Sequence, residues 1–125
     1  MMKVIHSDEA PAAIGPYSQA VRAGDFLYIS GQIGIDPKTG EMAGAAVADQ
    51  AEQAAKNVEA ILAAAGLSME KVVKTTCFLT DMKDFAAFNA VYETHFISRP
   101  ARSCVAVAGL PAGALCEIET IALAD

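Results

Sequence analysis

The chain has 125 residues, of which 54 % are apolar and 19 % are charged, and its formal net charge is −6. The apolar content excludes intrinsic disorder, and three cysteines without a C-x-x-C spacing suggest neither a disulfide framework nor a zinc site. We expect one domain spanning residues 1–125, with a homo-oligomer covering the apolar surface that a domain of this size leaves exposed.

Three strands are predicted at the start of the chain. A short strand at Val4-Ile5 is followed by residues 17–23 and 26–30, which flank Gly24-Asp25, a dipeptide typical of a hairpin turn. Residues 36–40 combine a proline, which presets φ, with a glycine, which permits a positive φ. They therefore predict a second turn.

A long amphipathic helix is predicted next. Apolar side chains recur at helical spacing from Val47 to Ala65, opposite a polar face, and Gly66 is a good helix terminator. Residues 72–80 follow and are rich in β-branched side chains, which favours a strand.

The rest of the chain is predicted to hold a second helix and two strands. Asp81 or Asp84 is expected to cap this helix. Its buried stripe would consist of Phe85, Phe88, Tyr92 and either His95 or Phe96. Residues 102–107 and 115–123 are predicted strands around a loop at 109–113. The order βββ–α–β–α–ββ predicts an α+β fold in which two helices cover one face of a sheet.

Several kinds of site find no support in the sequence. There is no nucleophile elbow, H-E-x-x-H motif or Walker loop, and neither His6 nor His95 belongs to a recognisable ligand cluster. His95 is interpreted as a structural residue because it lies near the helix stripe. The net negative charge and the lack of a basic run argue against nucleic-acid binding. No stretch suits a membrane helix or a signal peptide, so we expect a cytoplasmic protein.

Arg102 opens a predicted strand whose other members, residues 103–107, are small or apolar. Alternation places Arg102 and Cys104 on one face of that strand. A guanidinium seldom lies in such a strand without an anionic partner. The residue is therefore paired with Glu117 or Glu119, exposed at a strand end, or available to bind a substrate carboxylate with both arms of its fork.

Glu117 is a carboxylate in an otherwise apolar predicted strand. Simple alternation puts it on the same face as Glu119, although a β-bulge near the preceding loop would change that. A carboxylate in an apolar wall has a raised pKa and can accept a proton or orient water. The alternative is a solvated edge strand, where the residue would have no such role.

Three further polar side chains are candidate site residues. Tyr17 and Ser30 come from the open end of the predicted hairpin, so they could meet at one rim, although tyrosine in a strand is more often a packing residue. Asn89 lies in the second helix, where its amide needs hydrogen-bond partners if it is covered and is otherwise simply exposed.

Segments spread over essentially the whole chain resemble the RidA/YjgF family. They are GPYSQA at residues 15–20, SGQI at 30–33, DPKTG at 36–40, NAVYETHF at 89–96 and RPARSCVAVAGLPAGALCEIE at 99–119. The last segment is the most specific. Gly34 and Cys116 depart from the commonest family residues, and neither is a site position.

The resemblance implies a chorismate-mutase-like α+β fold, with a mixed sheet covered on one face by two helices, and a homotrimer with sites between subunits. It implies hydrolysis of 2-aminoacrylate-type enamines and their imines, such as 2-iminobutanoate and 2-iminopropanoate, to 2-oxo acids and ammonia. Such a reaction needs no metal or other cofactor, because an imine already hydrolyses in water. By position, Arg102 would hold the substrate carboxylate and Glu117 would orient or activate the water. The pocket would be lined by Tyr17, Ser30 and Asn89, with backbone groups of Gly31 and Cys104 bonding the substrate.

Two other functions stay open on the sequence. An endoribonuclease or translation-inhibitor activity is also attributed to this family, and the net charge of −6 counts against it. A non-catalytic trimer that binds small carboxylates, or acts as a chaperone-like regulator, would use the same Arg102.

Overall fold

The computed structural model describes residues 2–125 and confirms the predicted order of elements. The strands are β1 (Met2–Ile5), β2 (Ala20–Ala23), β3 (Phe26–Gln32), β4 (Val72–Leu79), β5 (Ala101–Ala106) and β6 (Cys116–Leu123). The helices are α1 (Val47–Ala64) and α2 (Phe85–His95). The strands form one sheet in the order β1-β2-β3-β6-β4-β5, antiparallel except for the parallel pair β4 and β5. This is the predicted α+β fold.

Both helices pack on one face of the sheet, and the core lies between the helix layer and the sheet. Helix α1 contacts β3 and β6 and turns its alanine-rich stripe inward, with Val58, Ile61 and Leu62 fully buried. The strands supply the other half of the core, since side chains two residues apart in a strand point to the same face of the sheet. Gly66 ends α1 as predicted, because its φ of 75° places it in the left-handed region.

The other face of the sheet is not covered by any element of residues 2–125. Val4, Val21, Tyr28 and Ile121 are register partners that form a row across β1, β2, β3 and β6. Val4 and Tyr28 are about half exposed, at 58 % and 47 %. We call this surface the open face. Its apolar character agrees with the surplus of apolar surface expected from composition.

Two local predictions need correction. Residues 17–19 are not part of a strand. Ile5 is the last residue of β1 and pairs with Ala20, so the ladder between β1 and β2 does not reach residue 19. Asp84 precedes α2 without a side-chain cap, whereas the Asp81 carboxylate accepts a hydrogen bond from the Lys83 N–H in the turn before the helix. Within residues 2–125, no helix is long and apolar enough to cross a membrane.

Candidate active site

Arg102 lies on the helix-covered face of the sheet, at the start of edge strand β5. Its register partner in the parallel ladder is Thr75 of β4, which is fully buried beneath α2. The Nη1 group donates a 2.8 Å hydrogen bond to Oδ1 of Asn89. The guanidinium carbon lies 4.8 Å from the ring centroid of Tyr92 and 5.6 Å from that of Phe85. Three residues of α2 therefore surround one half-buried cation.

This guanidinium has no carboxylate partner within residues 2–125, where every ion pair involves other residues. The internal salt bridge to Glu117 or Glu119, which the sequence left open, is therefore not formed. Arg102 instead faces a cavity of about 410 Å³, which we call the guanidinium cavity. It is lined by Asn89, Tyr92, Glu93, Phe96, Arg99, Pro100 and Arg102. A half-buried guanidinium with free N–H groups suits a planar anion such as a carboxylate.

Glu117 points to the opposite face of the sheet. It is a register partner of Phe78 in β4, whereas its neighbour Cys116 pairs with the buried Leu79. Glu117 is half-buried and Glu119 is exposed, and both lie on the open face, as alternation predicted. Burial raises the pKa of the Glu117 carboxyl, and repulsion from Glu119 raises it further.

A second cavity, of about 350 Å³, contains Glu117, and we call it the carboxylate cavity. Tyr17 and Gly31 also line it, together with an apolar wall that includes Ile14 and Ile33. Gly31 touches the carboxylate so closely that a Cβ there would lie 2.6 Å from Cδ of Glu117. The β-bulge that brings Gly31 to this place lies in β3, between Ile29 and Gln32. The bulge is therefore in β3 and not near the loop before β6, the position that the sequence suggests.

Ser30 faces a different groove. Its hydroxyl donates a 2.7 Å hydrogen bond to the carbonyl of Ser18, and it lines a groove with Tyr28 and Glu119. Tyr17 and Ser30 do come from the same end of the hairpin, but they do not share a cavity. Of the predicted site residues, the structure thus groups Tyr17, Gly31 and Glu117 in one cavity and Asn89 with Arg102 in another.

Cys104 is half-buried beside its register partner Cys77. Burial raises the pKa of the Cys104 thiol, an effect that Arg102 partly opposes. The pKa of Cys77 is raised to about 12, mainly by burial. Both side chains therefore remain thiols at neutral pH, and neither has the character of an activated nucleophile.

His95 has the structural role expected from the sequence. Its Nε2 lies 2.8 Å from Oε1 of Glu52, so it connects the end of α2 to α1, and its side chain is 15 % exposed. His6 is exposed and contacts Asp8. Across residues 2–125 there is no group of three or more histidine, cysteine or acidic side chains suited to a metal ion.

The contribution of Tyr92 to the site could not be found from the sequence. An aromatic residue at helical spacing looks like a core residue, and Tyr92 is indeed buried. One signal was present, since Phe85, Asn89 and Tyr92 recur at positions i, i+4 and i+7 and so lie on one side of the helix. That spacing indicates a binding surface for Arg102 only when the structure shows that Arg102 lies against this side of the helix.

Comparison with known proteins shows that this chain has relatives over almost its whole length. The family model described as Endoribonuclease L-PSP matches residues 7–124. A mouse 2-iminobutanoate/2-iminopropanoate deaminase is 52 % identical, over 97 % of this chain and 90 % of that protein. The crystal structure of the YjgF gene product from E. coli superimposes with a TM-score of 0.93 at 50 % identity, covering 98 % of this chain and 99 % of that one. The structure of E. coli TdcF with bound serine has a TM-score of 0.93 at 48 % identity, covering 97 % and 98 % of the two chains.

Proposed function

Because the chain belongs to the Endoribonuclease L-PSP family, also known as the YjgF/RidA family, we propose that it is a hydrolytic deaminase of 2-imino acids. Its substrates would be 2-iminobutanoate, 2-iminopropanoate and the related 2-aminoacrylate-type enamines. The products would be 2-oxo acids and ammonia. The mouse relative carries the same activity in its name, at 52 % identity.

The observation that carries this proposal is the guanidinium of Arg102, which has no carboxylate partner in the described part of the chain. Every 2-imino acid has a carboxylate next to the reacting carbon, and a guanidinium fork binds such a group through two parallel hydrogen bonds. Asn89 occupies one N–H group of Arg102, which leaves others free for a ligand. The TdcF relative was crystallised with serine, a ligand that also has a carboxylate.

The site is proposed to form between subunits of a homotrimer. Arg102 and Glu117 lie on opposite faces of one sheet, so a single chain does not bring them to one substrate. A neighbouring copy packed on the open face would cover its apolar row and complete the site. We assign Arg102 and Asn89 to one subunit and Tyr17 and Glu117 to the next, with Ser30 and the backbone groups of Gly31 and Cys104 as substrate contacts.

The chemistry is the addition of water to a carbon that is already activated. Arg102 holds the carboxylate, and Glu117 accepts a proton from water as the water oxygen bonds to C2 of the imine. This proton then passes to the imine nitrogen, which gives a carbinolamine. Glu117 next transfers the hydroxyl proton of the carbinolamine to its amino nitrogen while the C–N bond breaks, so that ammonia leaves and the C2 hydroxyl becomes the carbonyl of the 2-oxo acid. A raised pKa suits a carboxyl that must gain and lose a proton near neutral pH. Positioning and acid–base catalysis are sufficient for this step.

The test follows the decay of freshly generated 2-iminobutanoate with the purified protein and two variants. Arg102→Ala should abolish catalysis while the trimer stays folded, because charge-assisted hydrogen bonds of this kind contribute about 2–5 kcal/mol. Arg22→Ala removes an arginine of β2 and should leave turnover unchanged. Wild-type turnover in the Arg102→Ala variant would refute the assignment. Retained activity in Glu117→Ala would assign the water-activating role to another residue.

The same preparations separate the alternatives. Binding of 2-oxobutanoate without any imine turnover would identify a non-catalytic carboxylate-binding protein. Degradation of RNA that depends on Arg102 would identify a nuclease, against which the net charge of −6 counts. Light scattering reports the oligomeric state, and a monomer at assay concentration would contradict the shared site.

A further inference from the structure

The side of α2 that faces β5 surrounds the guanidinium of Arg102. Phe85 and Tyr92 present their rings to the cation. Asn89, which lies between these two residues on the helix, accepts a hydrogen bond from the guanidinium. A cation placed over aromatic rings is attracted by their negative faces, and the guanidinium is held in one orientation while its edge N–H groups stay free. The position of Arg102 therefore depends on where the helix holds these rings.

Tyr92 is itself fixed by a buried hydrogen bond. Its hydroxyl lies 2.6 Å from Oγ1 of Thr75, and Thr75 is fully buried. Its ring stacks on Phe96 with centroids 4.3 Å apart and an interplanar angle of 12°, and it also contacts Phe88 at 5.7 Å. Stacking alone would allow the Tyr92 ring to slide parallel to the Phe96 ring. The hydrogen bond to Thr75 fixes the distance of the Tyr92 ring from the sheet.

Thr75 is also the register partner of Arg102 in the parallel ladder. The hydroxyl that anchors the Tyr92 ring and the backbone that carries the guanidinium therefore occupy adjacent positions on β4 and β5. This closes a loop of contacts from Thr75 to Tyr92, from Tyr92 to the Arg102 side chain, and back through the ladder. A long, flexible arginine side chain is thereby ordered before any ligand arrives.

We propose that Tyr92 and Thr75 are positioning residues, whose hydrogen bond holds the Arg102 guanidinium ready for the substrate carboxylate. The inference rests on the proposed deaminase function and deepens it. Ordering a side chain on binding costs conformational entropy, so a guanidinium that is already ordered binds its carboxylate more tightly. Loss of the hydrogen bond should therefore weaken carboxylate binding and leave the proton-transfer chemistry at Glu117 unchanged.

The test compares Tyr92→Phe, Thr75→Val and the double variant in the full-length protein. Each single variant should raise the Kd for 2-oxobutanoate and the KM for 2-iminobutanoate about three- to tenfold, with kcat within about twofold of wild type. Because both substitutions remove one shared hydrogen bond, the double variant should be no worse than either single variant. Thr75→Ser keeps a hydroxyl at the same place and should restore wild-type binding.

Two control variants separate positioning from general destabilisation. Thr94→Val removes a threonine hydroxyl from α2 that bonds the Val91 carbonyl and should not change KM. Val58→Ala opens a cavity in the core beneath α1 and should lower stability without a selective rise in KM.

The outcomes also separate this inference from the proposed function. If the wild type hydrolyses imines and requires Arg102, but Tyr92→Phe and Thr75→Val bind 2-oxobutanoate with the wild-type Kd, the positioning role is overturned. The same follows if the rise in KM comes with a fall in kcat of more than about twofold, or if Thr75→Ser binds 2-oxobutanoate no better than Thr75→Val. If the wild type hydrolyses no imine, the proposed function fails, and the Kd series still decides whether Tyr92 and Thr75 position Arg102.

Discussion

Gly31→Ala should impair catalysis by displacing the Glu117 carboxylate while the fold stays intact. Gly31 belongs to the bulged part of β3, and its φ lies outside the left-handed region, so alanine is compatible with its backbone. The added methyl group, however, would point straight at Glu117. Its Cβ would lie 2.6 Å from Cδ, 2.9 Å from Oε1 and 3.0 Å from Cγ of that side chain.

The size of the effect follows from these distances. Non-bonded carbon atoms rest about 3.5–4.0 Å apart, so the carboxyl carbon of Glu117 must move by about 1 Å. A misplacement of about 1 Å can cost about 10²-fold in rate when the group acts on the reacting atoms. The end of a glutamate side chain beside a cavity can move cheaply, so we expect the melting temperature to change by less than about 4 °C.

The assay measures kcat/KM for 2-iminobutanoate and the melting temperature of each variant. Gly109→Ala is a matched control, because a Cβ at Gly109 meets no atom within 4 Å and its φ is not positive. It should behave like the wild type. Gly31→Ala combined with Glu117→Gln should be no worse than Glu117→Gln alone, which shows that the methyl group acts through the carboxylate. A Gly31→Ala enzyme within threefold of wild-type kcat/KM would refute this reasoning.

Two further predictions concern stability. Gly34→Ala would place a Cβ 2.6 Å from both the Cα and the backbone oxygen of Gln50 in α1, so the helix backbone must shift. The variant should lower the free energy of unfolding by about 1–3 kcal/mol, which is measured as a lower urea midpoint. A midpoint equal to that of Gly109→Ala would contradict this prediction. The folded-state pKa of Glu117 is raised, so its contribution to stability is greatest at acidic pH and is lost as pH rises through that pKa. Glu117→Gln should therefore melt above the wild type at pH 8, with a difference that shrinks towards pH 4; a difference independent of pH would show that the carboxyl pKa is not raised.

The order of strands and helices could be predicted because each element has a local signal. The period of the apolar side chains in α1, the glycine that ends it and the Gly24-Asp25 hairpin depend on neighbours in sequence. Alternation also predicted correctly that Glu117 and Glu119 share a face and that Arg102 and Cys104 share another. Such signals do not say how far a strand extends, because its ends depend on its ladder partners. For that reason the sequence pattern extends the predicted strand over residues 17–19, which lie outside β2 in the structure.

The relation between the two charged site residues could not be predicted. Alternation fixes faces only within a strand, and the register that relates β5 to β6 through β4 is a tertiary property. An internal salt bridge between Arg102 and Glu117 was therefore a reasonable alternative until the register was known. The contribution of Thr75 was hidden for the same reason, since nothing local relates a threonine of β4 to an arginine 27 positions later.

The placement of Arg102 and Glu117 on opposite faces has a chemical consequence. Had the fold brought them into contact, each would have satisfied the other, and the guanidinium would have lowered the pKa of the carboxyl. The fold instead gives the cation no carboxylate partner among residues 2–125 and places the anion where burial raises its pKa. In the proposed trimer, a substrate would lie between the two groups, with its carboxylate on Arg102 and its imine carbon towards Glu117. Under the proposed function, this separation within one chain would keep both groups available for catalysis, and it would make assembly of the subunits a condition for activity.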